Sequence, residues 1–422
     1  MGARVTEHPF EPGRSSRTHR EATDMRICIL GTGPVGLGCA ALLRANGHDA
    51  VLWSPRRPVA DGARQRVETF GLLESCGDFP VMSGTEGLAR ALHGADAAIL
   101  CLRANGFRSV IDQLAATLDR PLPVIVSSDL SLAGLYLSRK LAEAGHPAPV
   151  VVWSTTLTGG PIREGRVHVR LRRGRIDMSA IPAAFGAQGL TLCTALFGEI
   201  FAPVAEPLAI TLSNLNPPIH MANCLLNFTR IELGEVWQNF GGITPGVGRL
   251  IEALDRERLA VAARFGLCPR TVEEHYRKSF PGLPQDATVH EMAQIVEGQR
   301  RGSSPGPATL ATRFITEDLP FGILPVIRLA RMAGVEVPAH TAGLTLIGLA
   351  CGEDFATRND LLDAVGLEGA SPSDLLRRMR EGWQMPAAMM QNARRVTPPI
   401  QQDDAMTRRP SFAARRTPGT GR

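Results

Sequence analysis

The chain has 422 residues, 44% of them hydrophobic, so it can bury a large core and is long enough for two domains or more. Its formal net charge is +5, and residues 385–422, with seven arginines and two aspartates, account for that excess by themselves. The remainder is near neutral, which excludes a broad basic surface, so neither a nucleic-acid partner nor a membrane partner is expected.

Both ends of the chain have the composition of disordered tails. Residues 1–24 and 385–422 are polar and lack apolar periodicity, so we expect both to be dispensable for folding and activity. Met25 directly precedes the first predicted strand and is an alternative start. The eight cysteines form no C-x-x-C pair or metal-binding spacing, and no signal peptide or membrane-length apolar segment is visible. The sequence therefore predicts a cytoplasmic enzyme without a metal site.

The first element is a strand, turn, helix and strand within residues 25–57. Apolar residues 27–30 predict the first strand, residues 37–46 the helix and residues 50–53 the second strand. The turn between the first strand and the helix has the G-x-G-x-x-G spacing and consists of Gly31, Thr32, Gly33, Pro34, Val35 and Gly36. In this βαβ setting the spacing predicts a dinucleotide-binding site.

Each glycine has a separate physical role in such a turn. Gly31 lets the chain turn tightly off the strand, Gly33 lets a pyrophosphate approach the backbone, and Gly36 lets the helix pack closely on the sheet. The phosphates then meet free N–H groups at the helix N-terminus, where the helix dipole favours negative charge.

The end of the second strand indicates which dinucleotide binds. NAD-selective sites usually place Asp or Glu there to bond the ribose 2′-hydroxyl, whereas this chain continues with Ser54, Arg56 and Arg57 and no carboxylate. A hydroxyl and two arginines suit a 2′-phosphate, because guanidinium groups bind phosphate in a bidentate fork. We predict NADP(H) as the cofactor, with NAD as the second choice. A solvated arginine pair in a loop is the competing interpretation.

Strands and helices then alternate up to residue 206. The predicted parallel strands and their helices span residues 97–102, 107–118, 123–126, 132–144 and 150–153. The remaining predictions are a helical segment at 61–74, a half-exposed antiparallel strand at 163–175, a helix at 181–196 and an edge strand at 200–204. This alternation predicts an α/β fold with a Rossmann-type doubly wound parallel sheet in residues 25–206.

From Pro207 onward the strand signals vanish and helical patterns begin. The predicted helices span residues 208–235 with an interruption at Pro217 and Pro218, and then 247–265, 309–332, 342–349, 359–365 and 373–381. The sequence therefore predicts an all-α C-terminal domain, residues 207–384, after the Rossmann domain.

Two stretches of the helical domain carry candidate catalytic groups. Asn216, His220, Asn223 and Asn227 recur at helical spacing along an otherwise apolar helix. A buried polar stripe needs partners or a function, although a histidine satisfied within the core is the competing interpretation. The second stretch, residues 313–322, places two carboxylates and an arginine in an apolar setting. A carboxylate bonded to an imidazole fixes its tautomer, as general acid–base catalysis requires.

These stretches resemble the octopine/nopaline dehydrogenase family, the opine dehydrogenases, over most of residues 25–355. The specific elements are Asn-Pro-x-x-His at 216–220 and Thr-Glu-Asp-x-Pro-Phe-Gly at 316–322. Residues 247–255 also match, whereas the glycine turn is not specific.

The resemblance implies that His220 is the catalytic histidine, that Asp318 is its partner, and that Arg313 reaches the cofactor pyrophosphate from the second domain. It implies a reaction in which the amine of an amino acid condenses with a 2-oxo acid such as pyruvate and hydride reduces the imine. Thr156 is a candidate for the oxo-acid carboxylate and Asn216 for substrate binding. We also expect a homodimer.

One departure and two alternatives remain. After the strand at 123–126, many relatives carry a Gly-rich loop, whereas this chain has Ser127, Ser128, Asp129, Leu130 and Ser131, which places the usual substrate in doubt because the loop is expected to face the cleft. The first alternative is a simple oxo-acid reductase resembling ketopantoate reductase, but the chain has only two lysines, Lys140 and Lys278, neither in a pocket-like setting. The second is a non-catalytic nucleotide-binding protein, against which His220 and Asp318 argue.

Overall fold

The structure is a computed structural model that describes residues 24–55, 59–60, 62–300 and 304–383. Arg56 and Arg57 of the predicted nucleotide site lie outside the described residues, as do residues 1–23 and 384–422, where the tails are predicted. Within the described ranges, no helix is both long enough and apolar enough to cross a bilayer.

The first half of the chain builds one large sheet. The described residues form the strands β1 Arg26–Leu30, β2 Asp49–Ser54, β3 Arg64–Gly71, β4 Ser75–Ser83, β5 Ala97–Leu100, β6 Val124–Val126, β7 Val150–Trp153, β8 Thr158–Gly159, β9 Ile162–Arg163, β10 Arg166–Val169, β11 Leu171–Arg172, β12 Ile176–Ile181 and β13 Phe201–Pro203. Eleven of them form the sheet in the order β13-β12-β7-β6-β5-β1-β2-β4-β3-β10-β9, and β8 pairs separately with β11.

Helices cover both faces of this sheet and continue through the second half of the chain. They are α1 Pro34–Ala45, α2 Gly84–Leu92, α3 Phe107–Thr117, α4 Ala133–Glu143, α5 Gly186–Phe197, α6 Pro207–Leu212, α7 Asn216–Leu226, α8 Phe228–Glu232, α9 Pro245–Arg264, α10 Val272–Ser279, α11 Val289–Arg300, α12 Arg313–Thr316, α13 Leu324–Ala333, α14 Pro338–Cys351, α15 Asp360–Val365 and α16 Pro372–Glu381. A π-helix, Leu319–Ile323, precedes α13.

The predicted doubly wound parallel sheet is confirmed. Strands β2, β1, β5, β6 and β7 are parallel neighbours, and their side chains point alternately to two buried faces. In β1, Ile27 and Ile29 join the core formed with α1 and α5, whereas Cys28 and Leu30 join the core formed with α2, α3 and α4. Burial on both faces explains why these strands read as continuous apolar runs.

The helical segment predicted at 61–74 is wrong. This region is strand β3, which forms an antiparallel hairpin with β4 over residues 64–80, and β4 continues the sheet beside β2. Val67, Thr69 and Phe79 are buried on the hairpin, whereas Arg66 and Asp78 are exposed. Pairing with β4 decides the conformation. The β-branched and aromatic residues of this otherwise polar segment favour a half-buried pleated surface.

Two other sheet predictions need correction. The single antiparallel strand predicted at 163–175 is divided among β9, β10 and β11, and β10 runs parallel to β3. The helix predicted from residue 181 begins at Gly186, because residues 176–181 form β12, which lies antiparallel to β7. The edge strand predicted at 200–204 is present as β13. Short strands of this kind depend on their neighbours for pairing, so local pattern fixes them poorly.

The helical half has its own apolar core between α7, α9, α11 and α14. Its last two helices return to the sheet-bearing half, since α15 packs on α3 and α4, and α16 packs on α6 and β12. One apolar cluster therefore extends from the sheet into residues of the helical half, such as Leu329 and Leu361. The domain division at 206 and 207 stays a prediction.

The asparagines of the predicted polar stripe separate into two groups. Asn223 and Asn227 are buried and form a closed amide network, in which Asn227 Nδ2 donates to Asn223 Oδ1 at 2.9 Å and Asn223 Nδ2 donates to Asn239 Oδ1 at 2.9 Å. Such satisfied groups stabilise the packing of α7 on the loop at residue 239. The functional candidates of this helix are therefore His220 and Asn216.

Candidate active site

The glycine turn after β1 has the shape of a phosphate cradle. A Cβ on Gly31, whose φ is +130°, would lie 2.3 Å from the Cys101 carbonyl oxygen, and a Cβ on Gly36 would lie 2.1 Å from that of Gly31. A Cβ on Gly33 would meet nothing within 4 Å. Gly31 and Gly36 are thus required by the packing of the turn, while the backbone at Gly33 remains open to an incoming group.

A dinucleotide pyrophosphate fits this site. Helix α1 begins at Pro34 with no side-chain cap and no acidic residue in its first turn, so no side chain there competes with an anion for the unbonded N–H groups. Thr32, Pro34 and Val35 are only half-buried and line the approach.

The end of β2 lies against the start of α2. Trp53 Nε1 donates to the Gly84 carbonyl at 3.0 Å, and Ser54, buried, pairs in register with Ser83 at the end of β4. A neighbouring pocket is lined by Ser83, Arg64 and Arg90 among others. The two described arginines therefore lie near the strand end at which the sequence predicts a 2′-phosphate.

His220 and Asp318, 98 positions apart in the sequence, are in contact and are called the dyad below. His220 Nδ1 lies 2.6 Å from Asp318 Oδ2. The Asp318 side chain is 1% exposed and that of His220 is 12% exposed. The buried carboxylate orients the ring, and no hydrogen bond from the described residues engages Nε2. That nitrogen is therefore available for proton transfer.

Local sequence explains how the two side chains are aimed. Helix α7 starts at Asn216 with Pro217 in its first turn, so His220 follows on the next turn, facing the π-helix. Gly322 of the π-helix packs on Pro217, because a Cβ on Gly322 would lie 2.2 Å from Pro217 Cγ. The Asn-Pro and Pro-Phe-Gly elements thus pack directly against each other.

Phe314 fixes the ring of His220 on one face. The two rings are stacked with centroids 3.5 Å apart and planes 9° from parallel. With Nδ1 held by Asp318 and one face covered by Phe314, the imidazole has little rotational freedom. The sequence does not predict this stacking, because the pattern around position 314 does not distinguish Phe314 from a residue of the apolar core.

Glu317 connects the helical half to the sheet. Its Oε1 accepts from the Ala104 N–H at 2.8 Å, just after β5, and its Oε2 lies 3.5 Å from Arg313 Nε. Burial raises the pKa of Glu317, while Arg313 and the Ala104 N–H oppose that rise. Arg313 of α12, about half exposed, is thus held by Glu317 beside the edge of the sheet at which a dinucleotide would lie.

Neither substrate-binding candidate is hydrogen-bonded to His220 or Asp318. Asn216 is half-buried at the start of α7, and its N–H donates to Asn214 Oδ1 at 3.1 Å. Thr156, half-buried, follows β7, and no hydrogen bond joins it to His220. The loop after β6 buries Asp129 and Ser131 against the helical half, and its position in the substrate cleft stays a prediction.

Comparisons with known proteins agree with this geometry. A family model described as NAD/NADP octopine/nopaline dehydrogenase, alpha-helical domain, matches residues 203–351, and one described as NAD-dependent glycerol-3-phosphate dehydrogenase N-terminus matches residues 26–130. The chain is 28% identical over 358 residues to an opine dehydrogenase of Arthrobacter sp. (strain 1C), across 82% of this chain and 96% of that protein. In these regions the chain is similar to the octopine/nopaline dehydrogenases.

Two further relatives extend the comparison. A vitopine synthase of Allorhizobium ampelinum is 24% identical over 369 residues, covering 82% of this chain and 97% of its own. A solved octopine dehydrogenase bound to NADH and L-arginine superposes with a TM-score of 0.68 at 15% identity, across 86% of this chain and 99% of that one. At this identity the superposition shows the shared fold.

Beside Thr156, a charged cluster lies between the two halves of the chain. Arg173 Nη2 donates to Thr155 Oγ1 at 3.2 Å, and Arg270, next to α10, forms an ion pair with Asp177 at the start of the β12 pairing. His275 lies in this cluster, and burial, followed by the charges of Arg173 and Arg270, lowers its pKa to about 4. The imidazole is therefore neutral in the folded protein at neutral pH.

We expect His275 to make the protein acid-sensitive. Its pKa is about 4 when folded and 6.5 as the unperturbed value, so below pH 6.5 the unfolded chain binds a proton that the folded chain does not. The stability present above pH 6.5 is thus lost as the pH falls to about 4. The free energy of unfolding, measured with urea, should fall less steeply between pH 7.5 and 4.5 for His275→Gln than for the parent. Equal slopes for the parent and His275→Gln would contradict this role.

Proposed function

We propose that the chain is an NAD(P)H-dependent opine dehydrogenase, which joins the amine of an amino acid to a 2-oxo acid such as pyruvate and gives an N-(carboxyalkyl) amino acid. The observation that carries this proposal is the His220–Asp318 pair, buried where the helical half meets the carboxyl end of a dinucleotide-binding sheet. The similarity to octopine/nopaline dehydrogenases supports the same reaction class.

The proposed cofactor contacts come from both sides of the cleft. The turn from Gly31 to Gly36 holds the pyrophosphate on the N–H groups of α1, and Arg313 adds a positive charge from the opposite side. When bound, the nicotinamide supplies or accepts the hydride at the reacting carbon. Asn216 and Thr156 are the proposed substrate contacts.

His220 is the proposed acid and base. With Asp318 ionised, its carboxylate accepts the Nδ1–H, which leaves Nε2 to give a proton to, or take one from, the reacting oxygen or nitrogen. Phe314 and Asp318 hold the ring in one orientation, so little reorganisation accompanies the transfer. The burial of Asp318 keeps water from competing for the Nδ1–H.

The reaction can be tested directly. Purified protein is mixed with NADPH or NADH, pyruvate and each member of a panel of amino acids, and nucleotide oxidation is followed by absorbance. Oxidation that requires both the oxo acid and an amine is expected. Oxidation by the oxo acid alone would favour the simple oxo-acid reductase instead, and nucleotide binding without turnover of any substrate would favour a binding protein.

The dyad has a matched set of variants. His220→Ala should lower kcat by on the order of 10²–10⁴, the usual contribution of general acid–base help, while nucleotide binding survives, because the glycine turn lies on the sheet. Asp318→Asn keeps the shape but permits the wrong tautomer, so kcat should fall with little change in the melting temperature. Steady-state kinetics and fluorescence titration of NADPH give both readouts.

Glu317→Gln tests whether Asp318 or the adjacent Glu317 is the catalytic carboxylate. Its amide oxygen can still accept the Ala104 N–H, so it should lose less kcat than Asp318→Asn. If Glu317→Gln is inactive and Asp318→Asn keeps the parent kcat, the catalytic carboxylate is Glu317. If His220→Ala retains the parent kcat, the histidine is structural.

We propose NADP(H) as the preferred cofactor. The support is the absence of a carboxylate directly after β2 in the sequence, where Ser54, Arg56 and Arg57 stand, together with Arg64 and Arg90 beside the same strand end. Changing both Arg56 and Arg57 to Ala should raise KM for NADPH more than KM for NADH, because only NADPH carries the 2′-phosphate. Replacing the exposed Arg331 of α13 by Ala is the control. An unchanged ratio of the two kcat/KM values would remove these arginines from the 2′-phosphate site.

We also propose a homodimer in the cytoplasm. The support for the compartment is that all eight cysteines are free thiols, which suits a reducing environment.

A further inference from the structure

The π-helix after Asp318 contains two carbonyl groups that would point at the N–H of residue 325 in a regular helix. Pro325 lacks an N–H, so the carbonyls four and five positions before it, those of Phe321 and Pro320, cannot bond to it in an α-helix or a π-helix. Both residues are buried, and buried carbonyls need partners.

Two side chains from outside the π-helix supply these donors. Ser131 Oγ, in the loop after β6, donates to the Phe321 carbonyl at 2.8 Å. Asn359 Nδ2, at the N-cap of α15, donates to the Pro320 carbonyl at 2.7 Å and to Ser131 Oγ at 2.9 Å. The three segments therefore meet in one closed network, two residues after Asp318.

The loop that carries Ser131 is itself held in an unusual shape. Ser128, Ser131 and Leu132 have φ values of 70°, 54° and 60°, the left-handed region that non-glycine residues avoid. Asp129 fixes this shape, because its carboxylate accepts from the Gly134 N–H at 2.8 Å and from Thr211 Oγ1 at 2.7 Å. Strain held in this way commonly occurs at functional sites.

We propose that Ser131 and Asn359 are positioning residues that hold Asp318 against His220. The sheet-bearing half thereby fixes a carboxylate that belongs to the helical half, since Ser131 follows β6 and Asp318 precedes the π-helix. On the other side of Asp318, Glu317 accepts from Ala104 of the same sheet edge. The segment that carries the carboxylate is thus anchored to the sheet on both sides.

This role rests on the His220–Asp318 pair being the proton-transfer unit of the proposed function, but it can be tested without turnover. In protein labelled with ¹⁵N-histidine, the proton of the short Nδ1–H···Oδ2 bond gives a downfield NMR resonance, and Asp318→Asn supplies the reference without the carboxylate. Ser131→Ala removes the donor to Phe321. Asn359→Ser removes the donor to Pro320 but keeps a residue that caps α15 well.

Both variants should move the Nδ1 proton resonance upfield or broaden it through exchange with water, because the carboxylate is no longer held in place. Each should lower kcat by about tenfold, as expected for a small misplacement of a catalytic group, with KM for the nucleotide unchanged. Ser128→Ala is the matched control, since it has the same left-handed backbone in the same loop without a hydroxyl bonded to the π-helix.

Several outcomes overturn the positioning role. It is wrong if folded Ser131→Ala and Asn359→Ser keep the parent resonance, if Ser128→Ala shifts it equally, or if neither variant yields folded protein, because the network would then serve folding alone. If only one variant folds, that variant decides. If the resonance shifts as expected but no amine-dependent turnover is found, the positioning role stands and the proposed reaction fails.

Discussion

A carboxylate withdrawn from water is the constraint around which this protein is arranged. Asp318 is 1% exposed and lies 2.6 Å from the imidazole of His220. Leaving a buried charge without its partner typically costs about 3–5 kcal/mol, so the two side chains must be brought together in the folded state. The chain achieves this with two helical segments that approach closely through Pro217 and Gly322.

The same segment also joins the two halves of the molecule. Asp318 faces the helical half, whereas its neighbour Glu317 accepts a hydrogen bond from Ala104, directly after β5. Adjacent side chains thus connect the proton-transfer pair with the sheet edge at which the glycine turn would hold a dinucleotide. A hydride and a proton can be delivered to one substrate only if these two sites keep a fixed separation, and this double contact supplies it.

A second histidine–carboxylate pair shows that the chemical pair alone does not make a site. His340 Nδ1 lies 2.8 Å from Glu257 Oε2, but His340 is completely buried and Glu257 also accepts from the backbone N–H groups at the start of α14. This arrangement stabilises the contact of α14 with α9. The Nε2 of His340 is buried without a hydrogen-bond partner among the described residues, whereas the side chain of His220 is partly exposed, so of the two only His220 can meet a substrate.

The sequence by itself determined the elements whose pattern is local. The glycine turn, the parallel strands and the helical second half follow from apolar runs, glycine spacing and helical periodicity within short windows. The likeness of two motifs to a known family indicated His220 and Asp318, and the structure brings these residues into contact. Their catalytic roles, and those of Arg313, Thr156 and Asn216, stay predictions.

Only the tertiary structure decided what depends on neighbours distant in the chain. The polar segment at 61–74 became a strand because β4 pairs with it, and Asn223 and Asn227 proved structural because Asn239 completes their network. Ser131 and Asn359, 228 positions apart, meet at two π-helix carbonyls that cannot bond to Pro325. A hydrogen-bond requirement of this kind arises from the folded backbone, so no spacing along the chain can reveal which side chain will meet it.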